Sequence, residues 1–176
     1  DLIRAPFNSM SRQAIINGNF DIWQRGTSFS APASLAYTAD RYKVEFTLDG
    51  GTAPTLTHTR QVLTSGDIPN SFFHYRVATN GAGTSYGNSS EYCLEQLIEN
   101  GVRNLCGLNK KVTLSFWARS SIANKKLGVY LEQRYGSGGS PTATEGINGT
   151  NWTLTSAWTK YEYTFTYEQL DRLIDW

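Results

Sequence analysis

The stretch KVTLSFWAR, residues 111–119, alternates between two kinds of side chain. Apolar residues stand at every second position, and the positions between them carry hydroxyls, Trp117 and Arg119. A period of two places the two sets on opposite faces of an extended strand. The pattern therefore predicts a β-strand that buries one face and leaves Trp117 on the other.

Further segments of the same kind lie on both sides of this strand. Turn residues separate them, such as Asp49-Gly50-Gly51 and the glycine-rich run at 136–139. Many short strands divided by turn clusters are typical of a β-sandwich or barrel. The predicted strands are 15–23, with an interruption at Asn17-Gly18, and 42–47, 55–62, 72–79, 111–119, 127–135 and 158–165.

Two stretches favour helical turns. Residues 91–105 predict a strand through Ile98 and then a short turn of helix that Gly107 ends. Near the end of the sequence, Thr166 opens a capping-box pattern that is followed by an apolar stripe. One or two short helices are therefore expected beside the strands.

The composition narrows the function classes. The 176 residues carry a net charge of +1, which argues against a nucleic-acid partner that is bound by neutralising phosphates. No apolar run approaches the roughly 20 residues that cross a bilayer, so membrane insertion is not expected. Aromatic residues make up 13% of the chain, and Tyr and Trp combine apolar area with a polar group. This mixture favours a binding surface over a catalytic one.

The two cysteines, Cys93 and Cys106, leave two alternatives open. They could pair in an oxidising compartment, or remain as small buried side chains with free thiols. Two cysteines in a chain of this length do not make a disulfide framework, which favours free thiols.

Three stretches of the sequence resemble one known family. They are INGNFDIWQRGTSF at 16–29 with YTADRY at 37–42, then LEQLIENGVRNLCGLNKKVTLSFWARSS at 94–121, and NGTNWTLTSAWTKYEYTFT at 148–166. Together they are similar to a jelly-roll domain of bacteriophage tail-fibre and related virion proteins. The resemblance implies an all-β, jelly-roll β-sandwich of antiparallel strands, similar to galactose-binding-like carbohydrate-binding modules.

The resemblance also implies an organisation of the chain. Residues 1–13 are expected to be a tail or linker, 14–166 the jelly-roll domain, and 167–176 a helical extension or a truncated end. Two departures from the family pattern stand out. Tyr42 replaces a usual Trp, and YEQLDRLIDW at 167–176 stands where the family has a closing strand.

For function, the resemblance implies a non-catalytic glycan-binding or host-attachment module on a virion. Its partner would be a cell-surface glycan, and a trimer in a fibre is the expected assembly. One alternative is a purely structural fibre or decoration domain that makes homotypic contacts. Another is an extracellular bacterial carbohydrate-binding module, for which paired cysteines would be expected.

A glycan site needs an aromatic platform for the sugar ring and planar polar groups for its hydroxyls. The outward positions of the alternating strands supply both, provided that those strands share a sheet. The alternative is that this face packs against another subunit. The predicted ligand-binding residues are His74, Arg76, Trp117, Arg119, Tyr130, Glu132 and Arg134.

The segment around Trp23 and the pair Asp40-Arg41 allow two interpretations. Arg25 or Arg41 could donate hydrogen bonds to a ligand. The alternative, which we favour, is that Asp40 pairs with an arginine while Trp23 fills the core. The resemblance further implies a structural calcium ion at Asp21, although one aspartate supplies few of the six to eight oxygens that such an ion takes.

Catalysis finds little support in the sequence. A glycosidase needs two carboxylates at a fixed separation, and no pair of glutamates is set apart by an adjoining motif. The two histidines, His58 and His74, stand in neither a metal-binding nor a triad pattern. We therefore predict that the chain is not an enzyme.

Overall fold

The computed structural model describes residues 13–99, 105–107 and 109–167, and within them the chain is all-β. These residues contain nine strands and no helix, and every strand pairing is antiparallel. Residues 1–12 of the predicted tail, residues 100–104 of the predicted helical turn after Ile98, and residues 168–176 of the predicted C-terminal extension lie outside the described residues. The strands are β1 (Ser28–Ser30), β2 (Tyr42–Thr47), β3 (Thr55–Val62), β4 (Phe73–Gly81), β5 (Glu91–Gln96), β6 (Lys111–Ala118), β7 (Lys126–Gln133), β8 (Glu145–Thr153) and β9 (Thr159–Thr166).

The chain divides after Glu99 into two compact units. The first unit contains two sheets, one in the order β1-β3-β4 and one formed by β2 and β5. Strands β2 and β3 have the bounds that the sequence predicts. Across the β2–β5 pair, the Lys43 ammonium contacts the carboxylate of Glu95, its register partner. This pairing of opposite charges supports the observed register.

Aromatic rings fill the core of the first unit. Trp23 and Tyr42 are buried, and Phe20, Phe29 and Tyr75 pack against them. The Trp23 and Tyr75 rings stack with centroids 5.2 Å apart, and Phe20 lies 4.9 Å from Tyr42. Offset or tilted ring pairs at these distances add to the stabilisation that burial provides. The aromatic composition of the sequence is thus used partly for packing.

The strand predicted at 15–23 is wrong. Asn17 and Phe20 have φ values of 57° and 56°, in the left-handed region that interrupts a strand. The Asn17 side chain accepts a hydrogen bond from the Ile22 amide and donates one to the Ile22 carbonyl, at 3.0 and 2.9 Å. Because the Asn17 side chain forms hydrogen bonds with the backbone amide and carbonyl of Ile22, these groups are not available to a neighbouring strand, and the segment forms turns.

The second unit contains two antiparallel pairs, β6 with β9 and β7 with β8. Burial alternates along β6 and β7, which confirms the period of two seen in the sequence. The Phe116, Trp152 and Tyr161 rings, from β6, β8 and β9, lie within 6 Å of one another and join the two pairs. Strand β8 was not predicted, because Gly146 and Gly149 interrupt its pattern.

Candidate functional site

One face of β7 and of its continuation carries an aromatic ring, followed along the chain by a pair of opposite charges. Tyr130, Glu132 and Arg134 stand at alternate positions, so they project from the same face of the strand or its continuation. All three are exposed, and Tyr130 has an exposed fraction of 46%. Successive members are about 7 Å apart along an extended chain, since each residue rises about 3.4 Å. This spacing suits contacts to one sugar-sized ring.

A β-bulge lies opposite Tyr130. The β7–β8 register shifts between Val129 and Leu131, so that Asn148 and Gly149 together oppose Tyr130. A Cβ atom on Gly149 would overlap the Val129 carbonyl, and therefore this position requires glycine. Bulges redirect side chains and are frequent beside functional sites. The bulge is an independent feature that singles out Tyr130.

Glu132 and Arg134 form a salt bridge through one carboxylate oxygen. The Arg134 Nε and Nη2 atoms both lie 2.8 Å from Glu132 Oε2. These two charge-assisted contacts fix the orientation of both side chains. Glu132 Oε1 keeps its lone pairs for another donor. The pair thus places a carboxylate and a guanidinium side by side on this face.

Small residues flank this group on the same face. Gly146 is the register partner of Glu132, and a Cβ atom added to it would meet no other atom within 4 Å. Gly128 precedes Tyr130 by two positions and is paired with Asn151. Open space therefore lies beside the carboxylate. We use the name β7 surface for Tyr130, Glu132, Arg134 and Gly146.

Trp117 lies on a different ribbon. It projects from the outer face of β6, with an exposed fraction of 38%, and its register partner is Lys160 on β9. Arg119 follows β6, and its guanidinium stacks over the Trp158 ring at 4.8 Å. This cation–π contact holds Arg119 against the protein.

The seven predicted ligand-binding residues therefore do not share one sheet. Strand β6 pairs with β9 and strand β7 with β8, so Trp117 and Tyr130 belong to different sheets of the second unit. His74 and Arg76 lie on β4 of the first unit. Glu132 and Arg134 are in direct contact, and Tyr130 shares their face of β7.

Asp40 has a structural role in the first unit. Its carboxylate accepts a hydrogen bond from the Gln24 amide at 3.1 Å and pairs with Arg25 at 3.0 Å. Trp23 is buried, as the favoured interpretation requires. Arg41 contacts the Glu99 carboxylate at 3.3 Å. Arg25 and Arg41 are thus both engaged by carboxylates of the chain.

Gln96 fastens the turn segment to the end of β5. Its side-chain oxygen accepts from the Ile16 amide, and its side-chain nitrogen donates to the Ile16 carbonyl, both at 2.8 Å. The Gln96 side-chain amide thus makes the two hydrogen bonds with the Ile16 backbone that a neighbouring strand would otherwise make. Ile16, at the start of the 16–29 motif, therefore holds this segment against the end of β5.

A buried polar chain in the first unit was missed by the sequence analysis. His58 on β3 contacts the Tyr75 and Tyr92 hydroxyls, and Tyr75 also contacts the hydroxyl of Thr38 at 2.7 Å. Burial lowers the pKa of His58 to about 4, and it raises the pKa of Tyr75 and of Tyr92. The sequence contains one indication of this burial. His58 is two residues after Leu56 in β3, so both side chains point to the same face of the strand.

Asp21 is the residue to which the resemblance assigns a calcium ion. It is exposed in a shallow cleft beside Asn17 and Asn19, and the Arg60 guanidinium donates to its backbone carbonyl at 3.1 Å. No group of three or more His, Cys, Asp or Glu side chains that could hold a metal ion occurs among the described residues. A calcium ligand at Asp21 stays a prediction.

Two general features complete the description. Cys93 and Cys106, both in the described part of the chain, form no disulfide, which agrees with the favoured alternative. Within the part of the chain that the structure describes, no helix has the length and apolar character needed to span a membrane.

Comparison with family models, with curated proteins and with solved structures gives no match.

Proposed function

We propose that the chain is a non-catalytic glycan-binding module that attaches a phage tail fibre or a related virion protein to its host. The observation that carries the proposal is the exposed Tyr130 ring beside the Glu132–Arg134 pair. A pyranose presents C–H groups on its faces and hydroxyls at its edge. An aromatic ring with a neighbouring acceptor and donor is complementary to both.

The virion assignment rests on the resemblance of 16–42, 94–121 and 148–166 to the jelly-roll domains of virion proteins. A jelly-roll β-sandwich over 14–166 is the architecture that we propose, and the antiparallel all-β fold is consistent with it. A trimeric assembly, a cell-surface glycan as the partner, and the absence of nucleic-acid and membrane partners belong to the same proposal.

Trp117 is the second aromatic contact in this proposal. Its ring is exposed on the β6–β9 ribbon, and Lys160 is its cross-strand neighbour. A long glycan has several rings, and separate aromatic side chains can each take one of them. We therefore expect Trp117 to contribute to the binding of oligosaccharides.

A specific observation favours a structural fibre domain as the second candidate. Val62 and Phe72 each have an exposed fraction of 75%, where β3 ends and just before β4 begins. Neighbouring exposed apolar side chains mark surfaces that other proteins cover. In that case this end of the β3–β4 pair would contact other copies of the chain.

A glycan array tests the proposal. The purified chain is screened beside Tyr130→Ala and Trp117→Ala, with Tyr86→Ala as the matched control. Tyr86 has a similar exposed fraction, 52%, but lies in the first unit. We expect binding that falls at least tenfold in Tyr130→Ala and is retained in Tyr86→Ala.

Two results would contradict the glycan function. One is a blank array with a chain that unfolds cooperatively, and the other is binding that Tyr130→Ala and Trp117→Ala both leave intact. Light scattering on the same samples then tests the structural candidate. A trimer that Phe72→Ser dissociates would support it.

A further inference from the structure

We infer that residues 31–38 form a strap that covers the outer edge of β2 and keeps this strand from pairing with the same strand of a second copy of the chain. Ser34 holds the strap in place. The inference is independent of the β7 surface and of the proposed glycan function. It is carried by the hydrogen bonds between the strap and β2, and by the sequence of β2 itself.

The strap engages the backbone of β2 on the side that faces away from β5. Successive residues of an antiparallel strand direct their N–H and C=O groups to opposite sides. The Val44 amide donates to the Ala36 carbonyl at 2.9 Å, and the Val44 carbonyl accepts from the Leu35 amide at 2.6 Å. The Tyr42 carbonyl accepts from the Thr38 amide at 3.0 Å. The strap thus makes the hydrogen bonds that a neighbouring strand would otherwise make with β2.

Ser34 completes this contact at Phe46. The Ser34 Oγ atom accepts from the Phe46 amide at 3.0 Å and donates to the Phe46 carbonyl at 3.2 Å. One side chain therefore satisfies both outward backbone groups of Phe46, which would otherwise need another partner. Without the Ser34 hydroxyl, this position of β2 is open to the backbone of a second strand.

The strap is strained, and its own outer edge is irregular. Leu35 and Ala31 have φ values of 70° and 45°, in the left-handed region that residues other than glycine rarely adopt. Pro32 has no N–H to donate. A proline and a break in the extended backbone both protect a sheet edge from further pairing. The strap therefore ends the sheet at β2, and its hydrogen bonds with β2 hold a backbone conformation that is unfavourable by itself.

The β2 strand without its strap is complementary to itself. Two β2 strands can pair antiparallel about a two-fold axis at Val44. This register places Lys43 of each copy opposite Glu45 of the other, and Tyr42 opposite Phe46. Opposite charges and aromatic pairs across strands are stabilising. The outward backbone groups are those of Tyr42, Val44 and Phe46, which this register joins in hydrogen-bonded pairs. Charge and register thus identify a second copy as the partner of the uncovered edge.

The test measures mass and hydrogen exchange on the same samples of the full chain. Ser34→Ala removes both hydrogen bonds to Phe46. Ser71→Ala is the matched control, because the half-buried Ser71 also donates to a backbone carbonyl, that of Phe73 in β4, at 3.1 Å. Leu35→Pro is a second variant, since proline lacks the amide that bonds to β2 and excludes a positive φ. Light scattering over a concentration series gives the mass, NMR gives the exchange rate of the Phe46 amide, and thermal unfolding establishes that each variant is folded.

The variants have different expected results. Ser34→Ala should raise the exchange rate of the Phe46 amide about tenfold in dilute solution, because its hydrogen-bond partner is gone. At higher concentration the mass should approach twice that of the wild type, since a two-fold pairing is closed. Ser71→Ala should match the wild type in both measurements. Ser34→Ala combined with Glu45→Lys should keep the fast exchange and return the mass to the wild-type value, because a lysine then stands opposite Lys43.

Three results would overturn the inference. Fast exchange of the Phe46 amide in Ser34→Ala and in Leu35→Pro, with the mass of the wild type at every concentration, would show that the uncovered edge does not pair. A doubled mass that Glu45→Lys does not reduce would place the pairing on another surface. Unchanged exchange in both variants would show that the strap does not protect β2.

Discussion

The Nδ1 atom of His58 and the hydroxyl of Tyr75 lie 2.8 Å apart inside the first unit, where the His58 residue has an exposed fraction of 1%. The other ring nitrogen, Nε2, lies 2.9 Å from the Tyr92 hydroxyl. These contacts join β3 and β4 of one sheet to β5 of the other. The partners are hydroxyls, which do not offset the cost of a buried charge as a carboxylate would. The imidazole is therefore neutral in the folded chain.

This arrangement predicts a loss of stability in acid. The unfolded chain binds a proton at His58 near its ordinary pKa of 6.5, whereas burial lowers the folded pKa to about 4. The stabilisation is fully present above pH 6.5 and is lost as the pH falls toward 4. The difference amounts to about 3 kcal/mol of unfolding free energy. Urea unfolding at several pH values between 4 and 7.5 measures it.

Carboxylates also contribute to acid sensitivity, so the test compares variants. His58→Gln removes the titrating ring and should flatten the pH dependence between 4 and 6.5. Equal pH slopes in the wild type and in His58→Gln would show that His58 does not titrate in this way.

Asn17 provides a second stability prediction. Its side chain makes three hydrogen bonds to backbone atoms, two with Ile22 and one with the Asp40 carbonyl at 3.0 Å. Asn17→Gly keeps the positive φ accessible but removes all three bonds, which should cost about 2–3 kcal/mol. Asn19→Gly is the control, since the contact of Asn19 with the Asn70 carbonyl is a long one of 3.4 Å. Equal unfolding midpoints for the two variants would contradict the role of Asn17.

The two glycines of β8 give a matched pair. A Cβ atom at Gly149 would overlap the Val129 carbonyl, whereas one at Gly146 meets open space. We therefore expect Gly149→Ala to destabilise the chain by more than about 2 kcal/mol, because the backbone of the bulge must shift. Gly146→Ala should change the unfolding free energy by less than about 0.5 kcal/mol. Thermal unfolding of both variants checks this, and a Gly149→Ala chain as stable as the wild type would rule out the tight bulge.

Local pattern predicted most of the strands but did not predict their partners. Alternation predicted the bounds of β2, because a period of two reports which face of a strand is buried. The bounds of β3 were predicted from its threonine-rich composition. The segment 15–23 failed because the Asn17 side chain takes over backbone hydrogen bonds, which apolar spacing does not reveal. The common face of Tyr130, Glu132 and Arg134 followed from the same alternation. The pairing of β6 with β9 did not, since strand pairing depends on contacts between residues distant in sequence.

Trp117 and its neighbour Phe116 test the outward and inward faces of β6. Trp117 is partly exposed, while Phe116 packs on Trp152 and Tyr161 at centroid distances of 5.6 and 5.9 Å. Trp117→Ala should cost less than about 1 kcal/mol of unfolding free energy. Phe116→Ala should cost about 3 kcal/mol, because it leaves a cavity among aromatic rings. Urea unfolding of both variants gives the comparison. A large loss in Trp117→Ala, with glycan binding retained, would place that ring in the packed interior and remove it from the proposed binding residues.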